Sequence, residues 1–211
     1  MKKITLAMIF ACCTLALAAQ DDVIKVNYRG ARPTISDFAW AFLSDYVYDE
    51  DEDVLDEARN AAKYAWNKYR QGLPQDEGDK LTIDEKNGYA VYESRSEYES
   101  VEDMVRIEMC YWNESDGKHK LFAYNVACFS NGKYSPGQFD GLLFYRYDNA
   151  SRKMSFCDDT GFDVEYGTGD GGWVSYELPR TGKDITVTTW YDDRTVQKTL
   201  KWNGKTFSLA K

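Results

Sequence analysis

The sequence predicts an α+β fold, in which two N-terminal amphipathic helices over about residues 34–71 pack on an antiparallel β-meander over about residues 79–210. Before residue 72 the apolar residues recur at helical spacing, and after residue 78 short runs of strand-forming residues alternate with tight turns. Helices that precede a run of strands, instead of alternating with it, are typical of α+β domains. We expect about 9–10 strands, closed into a barrel or folded into a sandwich.

The two predicted helices have clear ends. The first begins just after Pro33, where a threonine or a serine can cap its free N–H groups, and its apolar residues are spaced three and four positions apart up to Tyr46. The second carries one continuous apolar stripe from Val54 to Tyr69, with acidic residues in its first turn and basic residues near its end. These charges complement the helix dipole, and a glycine and a proline then stop the helix.

Four dipeptides in the strand-rich part predict tight hairpin turns. Each pairs Asn or Asp with glycine, the combination that accepts two positive φ angles, and each lies among strand-forming runs. Strands joined by successive hairpins pair antiparallel, so the predicted sheet is a meander. The dipeptides are Asn87-Gly88, Asp116-Gly117, Asn131-Gly132 and Asn203-Gly204.

Residues 1–19 have the pattern of a secretion signal peptide. Lys2 and Lys3 form a basic start, residues 4–17 are almost wholly apolar, and small residues close the segment. The apolar run is shorter than the roughly 20 residues that a membrane-spanning helix needs. We therefore predict cleavage, which leaves a single domain over residues 20–211 in a secreted, periplasmic or cell-surface setting.

Cleavage leaves three cysteines in the mature chain, Cys110, Cys128 and Cys157. An odd number leaves at least one thiol unpaired, and the sequence does not choose a disulfide pair. Each of the three lies in an apolar run, where cysteine is typically a small buried hydrophobe. Cys12 raises the alternative of a lipoprotein, but Phe10 stands where a lipid-modified cysteine needs small residues, so we expect ordinary cleavage instead.

The mature chain is strongly acidic. Loss of the two lysines with the signal takes the formal net charge from −9 to −11. Because phosphate binding needs clustered Lys and Arg, we exclude nucleic acid as a partner. No apolar segment after residue 19 reaches the length that spans a bilayer, so we predict no transmembrane segment in the mature chain.

Both ends of the chain carry a family resemblance. The signal ends Ala18-Ala19-Gln20, the hairpins are acidic and rich in aromatic residues, and residues 200–207 read Leu-Lys-Trp-Asn-Gly-Lys-Thr-Phe. In these features the chain resembles the many uncharacterised secreted or periplasmic proteins of Bacteroides-type bacteria. The resemblance implies a cell-envelope setting and carries no catalytic motif.

The connection between Cys157 and Trp173 departs from the hairpin pattern because it is long, acidic and rich in glycine. Loops of that length in compact domains are often functional. Its carboxylates can supply the oxygen ligands of a calcium ion, or the acid and base of a glycan hydrolase. A solvated loop with neither role is the third alternative. The predicted calcium ligands are Asp158, Asp159, Asp163 and Asp170.

We predict a non-enzymatic binding protein whose partner is a glycan or another cell-envelope protein. The sequence contains one histidine and no Cys-x-x-Cys pair, so it shows no complete pattern for a catalytic triad or a zinc site. Two alternatives are a carboxylate-dependent glycan hydrolase that uses the acidic loop 158–170, and a structural or assembly component of the cell envelope. Calcium is the one cofactor that the sequence suggests. The residues predicted to face the ligand are Trp112, Trp173, Asp163 and Glu165.

Overall fold

The computed structural model describes residues 23–45, 55–136 and 140–210. The predicted signal peptide and Cys12 lie outside these residues, as does the segment between the two predicted helices. Within the described ranges, no helix combines the length and the apolar character that crossing a bilayer requires.

The fold is mostly β, with 46% of the structure in strands and 14% in helices, so the predicted α+β class is wrong. A curled antiparallel sheet forms a half-barrel, in place of the predicted closed barrel or sandwich of about 9–10 strands. The prediction gave the helices too much weight because helical spacing is the clearest local pattern in the sequence. The two central strands are 13 and 12 residues long, and their length depends on hydrogen bonding to the strands on either side, which leaves no periodic pattern of this strength in the sequence.

Two helices and twelve strands are found in the described residues. The helices are α1 (Ile35–Asp45) and α2 (Leu55–Arg70). The strands are β1 (Ile24–Lys25), β2 (Asp79–Asp84), β3 (Tyr89–Tyr98), β4 (Val101–Asn113), β5 (His119–Ser130), β6 (Lys133–Tyr134), β7 (Gly141–Asp148), β8 (Lys153–Phe156), β9 (Trp173–Glu177), β10 (Ile185–Trp190), β11 (Thr195–Trp202) and β12 (Phe207–Leu209).

The strands form two antiparallel sheets. The eight-stranded sheet has the order β1-β8-β7-β5-β4-β3-β2, with β6 paired to β5, and the four-stranded sheet has the order β12-β11-β10-β9. The glycine of each predicted turn dipeptide has a positive φ and lies between two paired strands, which confirms the positions of the four turns. The two positive φ angles that the dipeptides were expected to adopt occur together only at Asn131-Gly132. The long connection between β8 and β9 is the point where the chain passes from the first sheet to the second.

Both faces of the eight-stranded sheet are buried, so its strands alternate between two apolar cores. On β4, Ile107 and Met109 contribute to the core shared with α1 and α2, whereas Cys110 and Trp112 contribute to the core shared with the four-stranded sheet. Successive side chains of a strand point to opposite faces, which produces this division. The molecule therefore has three layers: the helices, the eight-stranded sheet and the four-stranded sheet.

A buried carboxylate lies between the two sheets. Glu108 of β4 is 1% exposed and accepts hydrogen bonds from the Tyr89 hydroxyl at 2.7 Å, from the Asn125 side-chain amide at 3.2 Å and from the Leu178 backbone N–H at 3.2 Å. Asn125 also donates to the carbonyl oxygen of Tyr176 at 2.9 Å. Burial raises the pKa of Glu108, although these hydrogen bonds act in the opposite direction.

Candidate functional site

The structure places Trp112, one of the two tryptophans predicted to face a ligand, inside the protein. The residue is 4% exposed, and its ring lies 5.1 Å from that of Phe207 on β12. Its indole N–H donates to the carbonyl oxygen of Lys183 at 2.8 Å, which satisfies the polar end of the side chain. Trp112 therefore joins the two sheets and presents no surface to a ligand.

Trp173 lies at the surface, with 52% of the residue exposed. It begins β9 and is directly paired with Trp190 of β10, so both indoles lie on one face of the four-stranded sheet. Trp190 is only partly exposed: its N–H donates to the Ser175 hydroxyl at 2.8 Å, and its ring lies 6.1 Å from that of Tyr134. We call Trp173 and Trp190 together the Trp173 surface.

A tight turn in the preceding loop positions Trp173. The Thr168 N–H donates to the carbonyl oxygen of Gly172 at 2.7 Å, and the Gly172 N–H donates to the Thr168 hydroxyl at 2.8 Å. Gly172 is closely packed, because a Cβ at this position would lie 2.7 Å from a methyl carbon of Thr189 and 2.8 Å from the Tyr191 ring. The close packing of Gly172 against Thr189 and Tyr191, together with the pairing of β9 and β10, holds the Trp173 backbone in place.

Asp170 is the acidic residue of this turn with the best-defined partners. Its carboxylate accepts hydrogen bonds from the Thr168 hydroxyl and, at 3.1 Å, from the Tyr191 hydroxyl. The Thr168 hydrogen bond is the main reason that the pKa of Asp170 is lowered, with a smaller contribution from Tyr191. Asp170 is thus an ionised hydrogen-bond acceptor a few residues from Trp173.

The predicted calcium ligands are not gathered into a preformed site. Asp158, Asp159, Asp163 and Asp170 are all exposed. A different group does come together among the described residues. Glu114, Asp116 and His119 each offer one possible metal-ligand atom, and these atoms all lie within 4.8 Å of one another. Glu165, the remaining predicted site residue, is also exposed, and its backbone N–H donates to the Tyr176 hydroxyl at 2.8 Å.

The group that the sequence analysis missed is built on the turn between β4 and β5. The Asp116 carboxylate accepts the backbone N–H groups of Lys118 and His119, and its second oxygen lies 2.5 Å from Nδ1 of His119. The His119 ring hydrogen bond is the main reason that the pKa of Asp116 is lowered to about 2. Glu114 is 7% exposed and accepts a hydrogen bond from the Arg146 guanidinium at 2.7 Å.

One histidine and two carboxylates form a donor set that several divalent metals accept. Each donor nevertheless has a partner within the protein: Arg146 for Glu114, backbone amides for Asp116, and Asp116 for His119. These contacts account for the arrangement as a hydrogen-bonded turn. The available sequence signal was Glu114 just before the Asp116-Gly117 turn and His119 just after it. Arg146 joins the group only through the pairing of β5 with β7.

Cys110, Cys128 and Cys157 are free, and none of the three has the properties of a nucleophile. Burial raises the pKa of each thiol, to about 12 for Cys128 and well above the ordinary value for Cys110. A thiolate is the reactive form of cysteine, so these residues serve in packing.

Comparison of the chain with protein-family models, with curated proteins and with solved structures found no match.

Proposed function

We propose that this is a secreted or periplasmic binding protein without enzymatic activity, and that it binds a glycan through the Trp173 surface. The observation that carries the proposal is the half-exposed Trp173 ring on a regular strand, in register with a second tryptophan. The signal-peptide pattern of residues 1–19 supports the extracytoplasmic location.

An exposed indole on a fixed backbone is suited to the apolar face of a sugar ring. Aromatic side chains combine a large apolar area with few rotatable bonds, so they lose little conformational entropy on binding. The tight turn at Thr168 and Gly172 places the Trp173 backbone before any ligand arrives. Such preorganisation reduces the conformational entropy that the protein loses on binding.

Hydrogen-bond acceptors for sugar hydroxyls lie on the same loop. Asp170 is ionised, and a carboxylate has up to four acceptor sites, of which Thr168 and Tyr191 use part. Asp163 and Glu165 are further exposed carboxylates of this loop. The loop thus combines an apolar stacking face with polar groups, as ligand sites generally do.

The alternative of a glycan hydrolase has less support. A general acid needs a carboxyl group whose pKa is raised, and burial or a second nearby carboxylate is the usual cause. The pKa of Asp170 is lowered, and Asp158, Asp159, Asp163 and Glu165 are exposed to solvent. These properties favour a role in binding over a role in proton transfer.

The test is a binding screen of the mature chain, residues 20–211, against a panel of oligosaccharides, followed by calorimetry on each one that binds. Trp173→Ala should weaken binding by at least about tenfold, because one stacking face is lost. Tyr98→Ala is the matched control, since Tyr98 is 74% exposed at the far end of β3. Equal affinity of the native chain and Trp173→Ala, or no binding to any oligosaccharide, would overturn the proposal. Cleavage of a bound oligosaccharide would favour the hydrolase instead.

A further inference from the structure

A cleft of about 430 Å³ lies between the segment that precedes α1 and the turn that joins β4 to β5. Its lining includes Arg32, Asn113, His119, Lys120 and Asn149, and we call it the cationic cleft. A volume of this size accommodates a small ligand. The cleft shares no lining residue with the Trp173 surface.

Lys120 is the unusual residue of the cationic cleft, because it is a lysine that is only 7% exposed. Its ammonium group donates a hydrogen bond to the side-chain oxygen of Asn113 and lies 4.9 Å from the centre of the Tyr111 ring. Both partners are neutral, and Lys120 forms no ion pair with a carboxylate of the described residues. Buried charges are normally paired, so this ammonium group lacks the counter-ion that its burial calls for.

Arg32 adds a second positive charge to the same cleft. It is exposed, and its guanidinium makes no hydrogen bond or ion pair within the part of the chain that the structure describes. The pKa of Lys120 is lowered, mainly by burial and also by repulsion from Arg32. Two cations therefore share one concave site in a chain whose net charge is −9.

The negative groups near the cationic cleft are already neutralised by other partners. Glu114 lines the cleft but accepts the hydrogen bond from Arg146. Asp116 is occupied by His119 and by two backbone amides, and the other ring nitrogen of His119 lies 3.4 Å from a carboxylate oxygen of Asp148. These pairs leave Lys120 and Arg32 as the uncompensated charges of the site.

We propose that the cationic cleft binds an oxyanion (a carboxylate, sulfate or phosphate group) between the Lys120 ammonium and the Arg32 guanidinium. Lys120 supplies a fixed, partly desolvated charge, and the fork of N–H groups on Arg32 can contact two oxygens of the same group. The remaining volume of the cleft holds the body of the ligand that carries this group, so a small acidic molecule or an acidic sugar residue fits.

The test titrates the mature chain with inorganic phosphate, sulfate, acetate and glucuronate in separate arms, followed by NMR or calorimetry. Sodium chloride keeps the ionic strength constant, so that saturable binding is distinguished from a general salt effect. The arms separate the oxyanion classes. At least one of them should bind saturably, and that ligand should shift the amide signals of residues 113–120.

Two variants make the assignment specific. Lys120→Met keeps the apolar stem of the side chain and removes the charge, whereas Arg32→Gln changes an exposed residue and leaves the fold undisturbed. Each should raise the dissociation constant at least about tenfold. Lys133→Gln, at an exposed lysine of β6, should leave it unchanged. Either of two results would overturn the proposal: Arg32→Gln binds with the same affinity as the native chain, or none of the four oxyanions binds saturably.

Discussion

One face of the eight-stranded sheet packs against two helices, and the other packs against a second sheet. The helix-facing core is built from apolar and aromatic residues such as Phe38, Phe42 and Phe122. The sheet-facing core is also apolar, but Glu108 is buried beside it with three hydrogen-bond donors, which come from β3, from β5 and from the residue that follows β9. Apolar contacts bury the helix-facing side, whereas the other side is buried by apolar contacts together with a hydrogen-bonded carboxylate.

The difference follows from what each partner layer needs. A helix satisfies its own backbone, so its apolar stripe can pack on the sheet without polar contacts. The four-stranded sheet must be placed so that the Leu178 N–H and the Tyr176 carbonyl meet the side chains of Glu108 and Asn125. We infer that this network selects one position of the second sheet, at some cost in stability relative to an apolar contact.

The largest expected effect comes from shortening an aromatic side chain in either core. Phe122→Ala removes ring contacts at 5.9 and 5.6 Å with Phe38 and Phe42, and it should lower the free energy of unfolding by about 3–5 kcal/mol. Phe144→Ala, on the sheet-facing side, should have an effect of the same size, because Phe144 is 2% exposed. Urea denaturation measures both. A much smaller loss for Phe144→Ala would show that the second sheet is loosely packed.

Glu108→Ala should come next, with a loss of about 2–3 kcal/mol, because it leaves buried donors without an acceptor. Hydrogen exchange should show faster opening of β9 and β10 than of β7, since the lost Leu178 hydrogen bond joins the end of β9 to the first sheet. Glu108→Gln retains an acceptor oxygen and should lose less. Uniform loss of protection across all strands would contradict a local role in placing the second sheet.

Gly172→Ala tests the packing that supports Trp173, with an expected loss of about 1–3 kcal/mol. A Cβ at this position would approach Thr189 and Tyr191 within 2.7 and 2.8 Å, so the turn must move. Gly169→Ala is the matched control on the same loop, because no atom lies within 4 Å of a Cβ built there. Melting temperatures compare the two variants, and an equal response would show that the turn is not tightly packed.

The smallest expected effect is a pH dependence, to which Glu108 on the sheet-facing side and Asp116 on the turn between β4 and β5 contribute. The pKa of Glu108 is raised in the folded protein above its ordinary 4.5, so the folded state holds this proton more tightly than the unfolded chain. The stability that this raised pKa contributes is fully present below pH 4.5 and is lost as the pH rises through the pKa of Glu108 in the folded protein. The free energy of unfolding then falls by at most about 1.4 kcal/mol per pH unit. Asp116 acts in the opposite sense, since its pKa of about 2 gives stability that is lost as the pH falls from 3.8 towards 2.

Urea denaturation at several pH values measures this dependence. The free energy of unfolding of the native chain should fall as the pH rises above the ordinary pKa of Glu108, and Glu108→Gln should show a flatter profile there. Asp116→Asn should remove part of the loss at the acidic end and leave the rest unchanged. Identical profiles for the native chain and Glu108→Gln would show that Glu108 does not titrate differently in the folded state.

Local features of the candidate sites were accessible from the sequence, and their partners were not. The exposed position of Trp173 was predicted from its place beside a glycine-rich loop, but the same kind of argument selected Trp112, which is buried. Both are aromatic residues at a strand end, and only the packing of β12 against β4 separates them. The pairing of Trp173 with Trp190 depends on the register of β9 with β10, and the proximity of Lys120 to Arg32 depends on a contact between segments far apart in the chain.

The sequence by itself determined the positions of the four glycine turns, because a glycine with a positive φ depends only on its immediate neighbours along the chain. Only the tertiary structure decided that the protein is mostly β, and that alternate residues of one strand serve two different cores. It also decided where the second sheet lies, because Glu108 meets its donors only when strands far apart in the chain come together. Contacts of this kind leave no local periodicity in the sequence, and for that reason the Asn-Gly and Asp-Gly dipeptides predicted the turns, whereas the pattern of apolar residues did not predict the layers.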